Sequence, residues 1–124
     1  NDLTVLNLWA TWCQPCVEEM PELNKVKTKY LNTKINFLSM SVDTDSVKLV
    51  KFLDKKKFDF NDITLENLEY RNAILNTLES RKPDKWIKSH IVPITYVLKN
   101  NVVLEKIEGQ IESQELISLL EKHK

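Results

Sequence analysis

Cys13 and Cys16 are the only two cysteines in the chain, and they stand three residues apart in Trp9-Ala10-Thr11-Trp12-Cys13-Gln14-Pro15-Cys16. A thiol pair at this spacing suits redox chemistry when local structure lowers one thiol pKa. The residues before Cys13 are strand-like and those after it are helical, so Cys13 falls at a helix N-terminus. Unpaired backbone N–H groups and the helix dipole favour a thiolate there. Cys16, one turn deeper, is close enough to close a small disulfide ring. Cys13 is therefore expected as the exposed attacking sulfur, and Cys16 as the resolving thiol that attacks Cys13 from within. Pro15 lacks an N–H that the first turn would leave unpaired anyway, and it stiffens the ring.

Two plainer readings compete. An inert structural disulfide is possible, but so short a loop gains little stability from closure. A structural zinc site needs four ligands, and only His90 and His123 are available to join the two cysteines. We therefore expect a dithiol with no metal and no organic cofactor.

The composition sets wider bounds. With 124 residues, 42% apolar and 29% charged, the chain is expected to form a single domain over residues 1–124 with its own hydrophobic core. Eighteen basic residues balance eighteen acidic ones, which argues against nucleic-acid or anionic-membrane partners. Lys55-Lys56-Lys57 is the best candidate for a local basic patch and reads as a solvated surface run. The single glycine, Gly109, excludes glycine-rich phosphate loops. No apolar run is long enough for a membrane span or signal peptide. The chain starts at Asn1 without a methionine, so it reads as processed or trimmed, with any export signal or anchor removed.

The elements that must position the dithiol follow from periodicity. Residues 3–8 read as a buried strand and residues 16–30 as a helix, with Val17, Met20, Leu23, Val26 and Tyr30 at helical spacing and Pro21 kinking it. Residues 35–42 read as a second strand. Asp43-Thr44-Asp45-Ser46 supplies caps for a helix whose stripe is Val47, Val50 and Leu53. Residues 58–62 read as a break, and residues 65–78 as a helix with Leu65, Leu68, Leu75 and Leu78 on one face. Pro83 is placed at the first turn of a segment running through Trp86 and Ile87 to His90. Residues 94–99 and 102–107 form a hairpin around Asn100-Asn101, and Ser113 caps a last helix burying Leu116, Ile117, Leu119 and Leu120. The predicted order is β-α-β-α, extra helices, then β-β-α.

The segment from Trp9 to Cys16 resembles the active-site segment of the thioredoxin superfamily. Pro21 falls where those proteins kink the active-site helix, and Ile91-Val92-Pro93-Ile94-Thr95-Tyr96 resembles their second signature, a cis-proline loop facing the dithiol. Gly109 also fits, after the final hairpin. The resemblance implies a thioredoxin-fold α/β domain: a central mixed sheet, flanking helices and a helical insertion over about 58–89 before the Pro93 loop. Thioredoxins proper carry a buried aspartate where this chain has Asn7. Instead, Cys13-x-x-Cys16-x-x-Glu19-x-Pro21 is similar to the TlpA/ResA/CcmG-like extracytoplasmic thiol-disulfide oxidoreductases of bacteria. The implied role of Glu19 is to modulate the cysteine pKa values. The implied role of Val92 is to pair its backbone with a substrate chain at the Pro93 loop. Trp12 is expected to shield the dithiol and offer an apolar landing surface, Trp9 to lie in the core, and Gln14 to help tune the potential. His90 reads as a surface or packing residue.

The implied activity is thiol-disulfide exchange on protein substrates, most simply as a reductase outside the cytoplasm, for example in cytochrome c maturation. It would be supplied by a membrane thiol donor and work as a monomer. Two alternatives stay open at this point: the same dithiol run as an oxidase or isomerase, and a thioredoxin-fold binding module with a static disulfide. The chain also departs from the family pattern. Only twelve residues precede Cys13, and Ile94 intervenes between Pro93 and Thr95.

Overall fold

The structure, a computed structural model, describes residues 2–82, 84–85 and 90–124. The elements run β1 (Leu3–Trp9), α1 (Gln14–Lys29), β2 (Asn36–Ser41), α2 (Ser46–Lys55), β3 (Asn61–Asp62), a 3₁₀ turn (Leu68–Tyr70), α3 (Arg71–Leu78), β4 (Ile94–Lys99), β5 (Val102–Glu108) and α4 (Ser113–His123). The strands form one mixed sheet in the order β3-β2-β1-β4-β5. β1 is central, parallel to β2 and antiparallel to β4. This is the thioredoxin fold expected from the sequence.

The register follows from alternation. Successive side chains of β1 leave opposite faces of the sheet. Leu3 and Val5 enter one cluster with Leu23 and Val26 of α1 and Leu116 and Leu120 of α4. Leu6 and Leu8 enter another with Met40, Leu49 and Leu75. That second cluster also contains Cys13 and Cys16, so the dithiol is built into a core.

The β4–β5 hairpin turns on Asn100 and Asn101, with φ of 53° and 65°, as the asparagine pair predicts. α1 runs through Pro21, which lies inside it as the sequence reading places it. α2 is capped by Asp45, whose carboxylate accepts the Lys48 N–H at 3.1 Å.

Several expectations are corrected. The stripe of α2 is not Val47, Val50 and Leu53: Leu49 is its buried residue, while Val47 and Val50 face solvent. Phe52 and Leu53 pack on the same cluster as Leu49, so the helix buries an i, i+3, i+4 face that leaves both valines outside it. Residues 58–62 are no simple break, because Phe60 is buried and Asn61–Asp62 pair with β2. Residues 65–78 do not form one helix. Leu65 and Leu68 are exposed, and only Arg71–Leu78 is α-helical. Ser113 is the first residue of α4 and not its cap; Glu112 takes the cap position without a side-chain bond. The Glu22 carboxylate, from α1, accepts the Ser113 N–H at 3.2 Å instead. In that helix Leu116 and Leu120 are buried, while Ile117 and Leu119 are only half-buried. Pro83, Trp86 and Ile87 lie outside the described residues.

Candidate active site

The site lies where β1 hands over to α1. β1 ends at Trp9, and a turn closed by the Cys13 N–H on the Ala10 carbonyl, at 3.1 Å, leads into the helix. Cys13 occupies the N-cap, and its Sγ accepts the Cys16 N–H at 3.3 Å. Sulfur here does what a cap oxygen does elsewhere, satisfying an amide that has no partner within the helix. Cys13 and Cys16 are joined in a disulfide with their Cα atoms 5.3 Å apart. The sequence makes Cys13 the exposed sulfur. In this oxidised form it is 6% exposed against 1% for Cys16. The order holds, but Cys13 is largely covered, because its sulfur is folded back over the first turn.

Gln14 and Pro15 lie on the exposed side of that turn, and the Gln14 amide reaches the Glu18 carboxylate at 3.4 Å. Trp12, just before the pair, is 61% exposed. Trp9 is buried against Phe52 and Phe58, at centroid distances of 5.3 and 5.8 Å.

Glu19 is not on a solvated helix surface. It lies on the same face of α1 as Cys16, one turn on, and is 0% exposed. Its Oε1 accepts from Asn7 Nδ2 at 2.9 Å and its Oε2 from the Ile111 N–H at 3.0 Å. Burial pushes the carboxyl above its ordinary value, and the two donors oppose that only in part. Asn7, noted from the sequence only for its inability to ionise, also donates to Thr95 Oγ1 at 3.2 Å. The amide on the central strand thus holds the acid of the helix.

The Val92–Pro93 peptide is cis. Pro93 is buried, and its carbonyl accepts the Gly109 N–H at 2.8 Å. Gly109 has φ of +90°, a conformation that favours glycine. Val92 is half-buried and packs on the hydrophobic cluster to which both cysteines belong. Ile91, next to it, is 70% exposed. His90 is half-buried, and burial together with Arg71 and Arg81 holds its imidazole below the ordinary value. His123 is engaged far from the site with Glu105, at 2.6 Å.

Lys55, Lys56 and Lys57 are exposed. Among the described residues no cluster of metal-ligating side chains is present, and no helix is long and apolar enough to cross a membrane.

The sequence did not reveal Asp43 and Thr11 as a pair. Thr11 donates both its N–H and its hydroxyl to the Asp43 carboxylate. The two residues are 32 apart in the chain, so only the tertiary fold could pair them.

A family model described as Redoxin matches residues 1–113. The curated protein Thiol-disulfide oxidoreductase ResA of Bacillus cereus is 29% identical over 121 residues, covering 94% of this chain and 61% of that protein. The chain therefore spans less than two thirds of that relative's length. Among solved structures, StoA from Bacillus subtilis superposes with a TM-score of 0.67 at 15% identity, over 96% of this chain and 82% of its own. A thioredoxin family thiol:disulfide interchange protein from Chlorobium tepidum gives 0.69 at 18%, over 98% of this chain and 79% of its own.

Proposed function

Since the chain belongs to the Redoxin family and, within the thioredoxin superfamily, to its TlpA/ResA/CcmG-like members, we propose that it is a thiol-disulfide oxidoreductase working through Cys13 and Cys16. The observation that carries this reading is the placement of Cys13. Its sulfur caps α1 and holds the Cys16 amide at 3.3 Å, with the second sulfur one turn below.

In the reducing direction the reduced pair begins the cycle. The Cys13 thiolate attacks one sulfur of a protein disulfide, a mixed disulfide forms, and the other substrate sulfur leaves as a thiolate. The Cys16 thiol gives up its proton and attacks Cys13 Sγ. The substrate's second thiolate leaves, and the Cys13–Cys16 disulfide remains. Two electrons pass to the substrate, and a thiol donor must return them. The amides at the start of α1 stabilise the negative sulfur at the first step. Glu19, buried on the same helix face as Cys16, would influence the proton of the resolving thiol.

Pro93 and Val92 form the wall against which a substrate chain would lie, with Trp12 as an apolar platform on the other side. Gln14 and Pro15, exposed on the first turn, would complete the contact surface. The finer assignments rest on the family: one domain spanning 1–124, monomeric action, a place outside the cytoplasm, a membrane thiol donor, and reduction of particular disulfides such as those met in cytochrome c maturation.

The test is the reduction potential of the pair, equilibrated against dithiothreitol or glutathione. A value below roughly −230 mV is expected for a dedicated reductant, and one near roughly −120 mV would reverse the direction. A Cys16→Ser chain should accumulate a mixed disulfide with a substrate; a chain that forms none under any redox condition is not an exchange enzyme.

A further inference from the structure

The turn that delivers Cys13 is gripped from outside the dithiol. Its own closing bond, Cys13 N–H to the Ala10 carbonyl, fixes the turn's shape but not its orientation on the sheet. Thr11 supplies the orientation. Its backbone N–H donates to Asp43 Oδ2 at 2.9 Å, and its Oγ1–H donates to Asp43 Oδ1 at 2.6 Å. A carboxylate accepts at both oxygens, so one side chain takes both donors of Thr11.

Asp43 is clamped in turn. It lies just beyond β2, where its N–H donates to Ser41 Oγ at 2.9 Å and the Ser41 hydroxyl donates back to Oδ2. Val42, beside it, donates its N–H to the Trp9 carbonyl at 2.9 Å, so the ends of β1 and β2 are tied together. Arg71, the first residue of α3, donates through Nη1 to the carbonyls of Ser41 and Asp43. The stretch between β3 and β4 thereby reaches the active-site turn through a half-buried guanidinium. A buried carboxylate is expensive unless its lone pairs are used, and this one receives three donors.

We propose that Asp43 is a positioning residue for Cys13: through Thr11, its carboxylate orients the turn that sets the Cys13 sulfur over the first amides of α1. The inference rests on the thiol-disulfide reading given above. The favourable field at a helix end fades within one turn, so the sulfur must be held in place to use it. The rival account treats Asp43 as a nearby negative charge and nothing more. The two differ in sign. Removing a charge would stabilise the thiolate, whereas releasing the turn would destabilise it.

The experiment is alkylation of the reduced chain by iodoacetamide at neutral pH, with the modified cysteine assigned by peptide mass. Asp43→Ala should slow Cys13 alkylation about fivefold or more, and Thr11→Val about threefold, because less thiolate is present. Asp43→Asn keeps an acceptor for the Thr11 N–H and should slow it less than Asp43→Ala. Asp45→Ala, which removes the neighbouring cap carboxylate of α2, should leave the rate at that of the parent chain. An unchanged or faster rate in folded Asp43→Ala overturns the proposal. If circular dichroism shows that Asp43→Ala does not fold, an unchanged rate in Thr11→Val overturns it instead. Insulin reduction by the parent chain is measured alongside. No turnover together with the expected alkylation pattern would remove the exchange reading and keep the positioning role. Normal turnover with flat alkylation rates would do the reverse.

Discussion

Glu19 is a fully buried acid whose two carboxylate oxygens are both engaged, one by Asn7 and one by the Ile111 N–H. Those bonds exist only in the assembled fold, since Asn7 and Ile111 lie 12 and 92 residues away in the chain. Since burial holds the carboxyl above its ordinary value, folding favours the protonated acid. That contribution to stability is complete below the ordinary carboxylate range and is lost as pH rises through the raised pKa of Glu19. Denaturant melts across this window should show the parent chain weakening with rising pH more steeply than Glu19→Gln; parallel curves would contradict the assignment. The same variant tests the chemistry. An ionised Glu19 opposes a thiolate on its own helix face, so Glu19→Gln should move the thiol titration of the reduced pair to lower pH. A titration that does not move would leave Glu19 a structural role only.

Among the elements, what could be read from sequence was whatever local pattern decides. The central strand, the active-site helix and the Asn100-Asn101 hairpin follow from a short β-prone run, helical spacing and turn chemistry. β3 was missed because two residues carry no period, and they become a strand only by pairing with β2. The face of α2 was misread because Val47, Leu49, Val50, Phe52 and Leu53 offer more than one apolar stripe. Cys13 and Cys16 could be found from their spacing and Glu19 from its match to the family's Cys-x-x-Cys-x-x-Glu-x-Pro pattern, whereas Asp43 needed the β1–β2 pairing to reach Thr11. The short segment after β5 has its own prediction. A Cβ at Gly109 would meet nothing within 4 Å, so Gly109→Ala is opposed only by its φ of +90°. The change should destabilise the chain by about 1–2 kcal/mol in denaturant melts, with no steric component. A loss of several kcal/mol would mean that the tie to Pro93 had also failed.

At the scale of the whole molecule, the sheet separates two cores that answer to different demands. One contains the dithiol; the other, where α1 meets α4, contains Leu116 and Leu120 and neither cysteine. Leu116→Ala should therefore lower stability by about 2–5 kcal/mol while the Cys13 alkylation rate stays at the parent value. A matching fall in both would show that the cores are not separable. The scarcity of glycine acts on the other side of the folding equilibrium. Among the described residues, Asn32, Ser80, Asn100 and Asn101 hold positive φ with side chains attached, and Gly109 is the only glycine in the chain. Each side-chained residue narrows what the denatured polymer can sample, so less disorder is surrendered on folding than glycine would surrender at the same turns. Each such turn accepts the strain of a Cβ at positive φ, and the random coil it emerges from is correspondingly stiffer.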